Sequence, residues 1–124
     1  MKKIMIYLIT LMVFTSCEER DVNTISVGID VQSFFNQENV KILIDNKEII
    51  NKQLETNGIL GLCLDGRANI KLSEGNHVIK ILINDLTTKT ETFTLSSNFY
   101  IGVNYSAQTK AISLIYSVDP FMYD

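Results

Sequence analysis

The chain has no tryptophan, one proline, one histidine and two cysteines in 124 residues. Each shortage excludes something. A His-based metal site or a Ser-His-Asp triad would have to use the single histidine, His77, and no HExxH, CxxC or His-x-His spacing is present. His77 follows Gly75-Asn76 at a strand start, where a structural role bonding backbone is expected. Two cysteines allow one disulfide at most. Without tryptophan, stacking on a ligand ring falls to Tyr100, Tyr105, Tyr116, Tyr123 and Phe121. The only proline, Pro120, ends the last candidate strand. No Lys/Arg cluster follows the first few residues, and with 11 basic against 14 acidic residues no nucleic-acid partner is expected.

A long hydrophobic run is also missing. Lys2 and Lys3 precede an apolar stretch from Ile4 to Phe14, broken only by Thr10, and Thr15-Ser16-Cys17-Glu18-Glu19-Arg20 closes it. The stretch is about half the 20 or so apolar residues that a membrane-crossing helix needs. A positive start, a short apolar middle and small residues at the end make a secretory signal. Removing residues 1–16 takes away two lysines, so the formal charge moves from −3 to −5.

Phe14-Thr15-Ser16-Cys17 resembles a bacterial lipobox, with Phe14 and Ser16 departing from the commoner Leu and Gly or Ala. The resemblance implies that Cys17 becomes the first mature residue and carries acyl chains. Each buried methylene adds about 0.8 kcal/mol, and two or three chains hold where one does not. The acidic pair Glu18-Glu19 resembles the surface-export signal of Bacteroidota lipoproteins. The expected location is the cell envelope, most simply the outer membrane, with the periplasmic and surface faces both open. The expected organisation is a signal peptide at 1–16, an acylated cysteine and acidic tether at 17–23, a β domain at 24–118 and a tail at 119–124.

Acylation of Cys17 leaves Cys63 without a disulfide partner. Cys63 sits in the apolar run Ile59-Leu60-Gly61-Leu62-Cys63-Leu64, which reads as a small buried hydrophobe rather than a catalytic thiol. The body must then be held by packing alone.

The body is a series of short runs rich in Ile, Val, Thr, Phe and Tyr, punctuated by Asn, Asp, Gly and Ser. Strands are expected at Thr24–Val31, Val40–Ile44, Glu48–Leu54, Ile59–Leu64, Ala68–Leu72, His77–Ile83, Thr88–Leu95, Phe99–Tyr105 and Ala111–Val118. A short helical turn is expected within Ser33–Asn39. Asp45-Asn46-Lys47 is a hairpin turn, because Asx residues tolerate positive φ. Alternation puts Phe99, Ile101, Val103 and Tyr105 on one face, and Ile112, Leu114, Tyr116 and Val118 on another. Apolar residues on both sides of Val78–Ile83 suggest a strand covered on both faces. The fold class is all-β: a single antiparallel β-sandwich of seven to nine short strands, immunoglobulin- or transthyretin-like.

Val40 to Ile49, followed by Leu72-Ser73-Glu74-Gly75-Asn76-His77-Val78-Ile79-Lys80-Ile81, resembles PEGA-type and related transthyretin-like sandwich domains across Val40–Leu95. Asn46 stands where glycine is usual, and the Pro-Glu-Gly-Ala element itself is absent. The resemblance implies an envelope interaction or spacer module.

Asp30, Glu38, Asp45, Glu55, Asp65, Glu74, Asp85 and Asp119 supply carboxylates, but mostly in turns that favour Asp for backbone reasons, so no paired-carboxylate hydrolase is expected. Asp65-Gly66 with Asn69, and Asn84-Asp85, are oxygen-rich but lack EF-hand spacing, so no metal and no cofactor are expected. The expected role is non-catalytic: binding or spacing another envelope protein, with glycan binding as the alternative and hydrolysis the least favoured. Tyr100, Phe121 and Tyr123 are the candidate contact residues, Tyr105 and Tyr116 being assigned to inward faces. Phe121-Met122-Tyr123 either docks on the body or meets a partner, and docking is the preferred expectation because exposed apolar clusters are avoided.

Overall fold

In a computed structural model, residues 24–123 are described. Cys17, the leader and the acidic tether lie outside them. Eight strands follow one another: β1 Thr24–Val31, β2 Asn36–Ile44, β3 Lys47–Glu55, β4 Arg67–Ser73, β5 Gly75–Ile83, β6 Thr87–Leu95, β7 Phe99–Ser106 and β8 Ala111–Ser117. They form two four-stranded sheets, β4-β1-β7-β8 and β3-β2-β5-β6. The fold is a β-sandwich, as the strand-and-turn pattern predicts. Its four-on-four arrangement departs from the four-on-three order of constant-type immunoglobulin domains. All pairings are antiparallel but one: β1 and β7 run parallel, Val27 beside Phe99 through Val31 beside Val103. That exception follows from topology, since the chain reaches β7 by crossing over from the other sheet rather than by a hairpin.

Period-two alternation builds the interior. Val27, Ile29 and Val31 of β1, Ile101 and Val103 of β7, Val40, Ile42 and Ile44 of β2, and Ile79, Ile81 and Ile83 of β5 face each other across the sandwich, and all are essentially inaccessible to water. β-branched residues dominate, and their stiff side chains suit a pleated half-buried surface. Phe93, Phe99 and Tyr116 stack at the edge where β6 and β8 approach, with centroids 5.5–6.3 Å apart. The Asp45-Asn46 turn closes β2 onto β3 with φ of 52° and 68°, the double-positive geometry expected of a two-residue hairpin. Asn84 and Asp85 do the same between β5 and β6, with φ of 53° and 59°.

Three expectations are corrected. Ile59–Leu64 is not a strand but part of a loop, 56–66, with one isolated bridge between Asn57 and Leu62. Asn57 organises it: its side-chain carbonyl accepts from the backbone N–H groups of Ile59 and Leu60, and Gly61 takes φ of 70°. An apolar run of six residues does not distinguish a strand from a loop that buries Leu62 and Cys63 and sends Ile59 outward. Ser33–Asn39 holds no helix; a tight turn at Ser33-Phe34 leads directly into β2. Finally, β5 lies centrally in its sheet but is covered on one side only, with Val78 and Lys80 open to water.

The chain directions give the sandwich two ends. One carries Thr24, the Asp45-Asn46 turn, the Ser73–Gly75 crossover and the end of β8. The other carries Ser33-Phe34, loop 56–66, the Asn84–Leu86 turn and the Ala107–Lys110 turn.

Candidate functional site

The site lies on the outer face of the β4-β1-β7-β8 sheet. Alternation along β1 sends Gly28 and Asp30 outward, and Gln32 just beyond the strand continues the row. Yet Asp30 and Gln32 are each only 8% exposed. What covers them is the C-terminal tail. After β8, Ser117 Oγ donates to the Asp119 carbonyl and accepts from the Asp119 N–H, turning the chain back at Pro120. The tail then crosses the sheet, and Tyr123 reaches β1.

A chain of hydrogen bonds fixes it there. Arg67 Nε donates to Asp30 Oδ1 at 3.2 Å, and the Tyr123 hydroxyl donates to Asp30 Oδ2 at 2.7 Å. Gln32 Nε2 donates to the Tyr123 oxygen at 2.9 Å, and Asn104 Nδ2 donates to Gln32 Oε1 at 2.9 Å. Ser33 closes the chain by donating to Asn104 Oδ1 from its hydroxyl, 2.8 Å, and its backbone N–H, 3.1 Å. Every donor meets an acceptor in sequence, the condition under which a covered polar network holds a structure together rather than weakening it. The Arg67 guanidinium also lies 5.8 Å from the Tyr123 ring centroid. Burial, with the Asp30 carboxylate beside it, pushes the Tyr123 hydroxyl up to about 12, against the opposing hydrogen bond from Gln32, so the phenol keeps its proton and remains a donor.

Two glycines make the face flat enough for this. A Cβ at Gly102 would stand 2.6 Å from Gln32 Oε1, and one at Gly28 would stand 2.7 Å from the Tyr100 ring. Gly28 pairs with Asn69 of β4 on one side and Tyr100 of β7 on the other. The Tyr100 ring packs onto Gly28, in the space a side chain there would take. Gly28, Tyr100, Asn69, Asp30 and Arg67, with Pro120 and Phe121 of the tail, line a cleft of about 240 Å³.

The three contact residues expected from sequence therefore gather on one face, in two roles. Tyr100 and Phe121 border the cleft. Tyr123 is the latch of the tail, its hydroxyl engaged on Asp30 and Gln32, so docking is what the structure shows. Tyr105 is buried against Phe35 with centroids 5.6 Å apart, whereas Tyr116 sits at the open edge, 36% exposed. Sequence reasoning missed Gly28, Gln32, Arg67 and Asn104, and counted Asp30 only among the carboxylates without a catalytic role. The available signal was a pair of glycines at outward positions of adjacent strands, together with an apolar terminus that had to cover something.

No protein-family model matches the chain, and no curated protein matches it.

The other candidates are placed as follows. His77 is buried at the Thr24 end. Its Nδ1 lies 2.6 Å from Asp45 Oδ2 and its Nε2 lies 2.7 Å from the Ser73 carbonyl. Both partners accept, so both contacts are hydrogen bonds when the ring carries a proton on each nitrogen. Burial lowers its affinity for a proton, but Asp45 and the Ser73 carbonyl outweigh that and hold His77 above its ordinary value; Asp45, opposed by burial too, is held below its own by His77 and the Val78 N–H. Cys63 is fully buried, and burial, with Glu38 and Glu55 nearby, pushes its thiol up despite a contact with Thr56, the opposite of what a nucleophile needs. Among the described residues no three His, Cys, Asp or Glu side chains converge as metal ligands. Asn84 Oδ1 accepts from the Asn39 backbone N–H instead.

Proposed function

We propose that the protein is a lipid-anchored envelope module, held to the membrane through acylated Cys17, whose β-sandwich presents a partner-binding loop end. The observation that carries this reading is a set of exposed apolar side chains at the loop end. Ile59 and Leu86 are each 86% exposed, Phe34 77% and Leu64 58%, and all four lie toward the end of the sandwich opposite Thr24, whereas the other exposed ones, Val78, Ile115, Tyr116, Val118 and Met122, are spread over β5, β8 and the tail. Thr24 is where residue 23 joins the sandwich, so these side chains lie at the end opposite that junction.

The loop that carries Ile59 and Leu64 is tied to the body at both ends. Thr56 Oγ1 donates to the Gln32 carbonyl and accepts from the Phe35 N–H, Cys63 N–H donates to the Val31 carbonyl, and Val31 N–H donates to the Gly66 carbonyl. A loop pinned this way lowers the backbone ordering cost of binding. Apolar side chains grouped at one end of a domain mark an interaction site, whereas scattered single ones do not.

The experiment places a photo-crosslinking residue at Ile59 and, separately, at Thr92 on the opposite sheet's outer face, in cells with the anchor intact. The reading expects one envelope protein captured from the Ile59 position and not from Thr92. Equal capture from both, or none from Ile59, refutes it. The anchor is tested separately: Cys17→Ser should release the protein from the membrane fraction.

A further inference from the structure

The cleft beside the docked tail is separate from the loop end, and its chemistry is narrower. Gly28 lies at its base, beside the Tyr100 ring that packs onto it. Two aromatic residues, Tyr100 and Phe121, border it, and Asn69 and Arg67 stand on the β4 side. Asn69 pairs with Gly28 and Gly28 with Tyr100, so the amide, the glycine and the phenol ring follow one another across three adjacent strands.

Charge decides what such a cleft accepts. Arg67 is its only cation among the lining residues, and it stands 3.2 Å from the Asp30 carboxylate, so the pair is neutral together. Both Asp30 oxygens already accept, from Arg67 and Tyr123. Neither an anionic nor a cationic ligand finds an uncompensated opposite charge. What remains are aromatic faces, an amide with donor and acceptor, and the guanidinium N–H groups of Arg67 beyond Nε, which is the one engaged among the described residues. Size narrows the choice further: at about 240 Å³ the cleft is below the range of about 300 Å³ upward typical of drug-sized ligands, and holds one ring.

We propose that this cleft binds a neutral, polyhydroxylated six-membered ring, one pyranose unit, stacked against Tyr100 and Phe121 with its hydroxyls on Asn69 and Arg67. The C–H face of a pyranose packs on an aromatic ring, and its hydroxyls both donate and accept, which suits an amide beside a neutralised guanidinium. The tail makes the site: Phe121 is one wall, and Tyr123 holds that wall in place through Asp30. This proposal does not depend on the loop end and can fail without it.

The test is an amide chemical-shift titration of the full-length chain in a detergent without a sugar headgroup. The probes are glucose, galactose, mannose and N-acetylglucosamine, their short oligomers, and glucuronic acid. Saturable shifts at Gly28, Asn69, Tyr100 and Phe121 with at least one neutral sugar support the proposal. A free ring and a ring within a chain are told apart by whether monomer or oligomer binds more tightly. Tyr100→Leu should weaken binding about tenfold, the loss expected for one aromatic partner, and Asn69→Ala should weaken it too, while Thr92→Ala leaves it unchanged. Tyr100 is half-buried and Asn69 exposed, so neither substitution removes a core side chain. No saturable shift with any neutral sugar, tighter binding of glucuronic acid, or unaltered binding by both Tyr100→Leu and Asn69→Ala overturns it.

Discussion

The two outer faces of the sandwich are made by the same alternation and have different fates. On the β3-β2-β5-β6 sheet the outward residues of β6 are Thr88, Thr90, Thr92 and Thr94, all exposed, with Lys80 of β5 beside them. On the β4-β1-β7-β8 sheet the outward positions include Gly28, Asp30 and Gly102, all buried. Small residues and an acid, instead of threonines, let the tail lie down and be held. An outward strand position is thus a solvent position only if nothing later in the chain comes back to cover it.

The contrast is broken most strongly at its centre. Asp30→Ala removes the acceptor of both Arg67 and Tyr123 and should lower the unfolding free energy by about 2–3 kcal/mol, the scale of a charge-assisted hydrogen bond plus an unsatisfied partner. Thr92→Ala on the other face should stay within about 0.5 kcal/mol. Urea unfolding of the two variants makes the comparison, and equal losses would show that the tail network contributes nothing special.

Next in size is the latch itself. Tyr123→Phe keeps the ring and removes the hydroxyl, at a cost of about 1–2 kcal/mol. For a domain of this size each kcal/mol moves the thermal midpoint by about 4–8 °C, which calorimetry resolves. Truncation before Pro120 should lower the midpoint at least as far; an unchanged midpoint would mean the tail does not stay docked.

The glycines sharpen the same contrast with a smaller effect. Gly102→Ala forces the Gln32 side chain aside and should cost about 1 kcal/mol through its hydrogen bonds. Gly58→Ala, where an added Cβ meets nothing within 4 Å, should be neutral within about 0.5 kcal/mol.

The smallest effect lies off both faces, at the Thr24 end. His77 titrates above its ordinary 6.5 in the folded chain, so its contribution is complete below that value and is lost as pH rises through the raised one. Asp45 titrates below its ordinary 3.8, so its contribution is complete above that value and is lost as pH falls through the lowered one. The pair is at full strength between the two, and with Asp45 half-exposed it amounts to about 1 kcal/mol. His77→Gln should flatten the loss of stability on the alkaline side in denaturation curves taken across pH, leaving the tail variants' losses unaltered.

The local parts of the molecule were legible early. Thr24–Val31 stands where alternation predicts it, seven other strands lie within a few residues of their predicted bounds, and the Asx hairpin at Asp45-Asn46 forms for the backbone reason expected of it. Ile59–Leu64 was misread because an apolar run carries no period, and only Asn57 and the bonds to Val31 and Phe35 make it a loop. Of the site, Tyr100, Phe121 and Tyr123 were visible as aromatic residues with no inward place. Their partners were not, because Asp30, Arg67 and Asn104 look like ordinary outward polar residues of three separate strands.

Composition and period two, both local properties, determined that this chain folds by packing strands, and which side chains face inward. The parallel pairing of β1 with β7, the burial of Asp30 and the cleft over Gly28 were decided by tertiary structure alone. Each depends on segments some 70–90 residues apart meeting across a sheet, and no pattern confined to one strand records which later segment will lie against it.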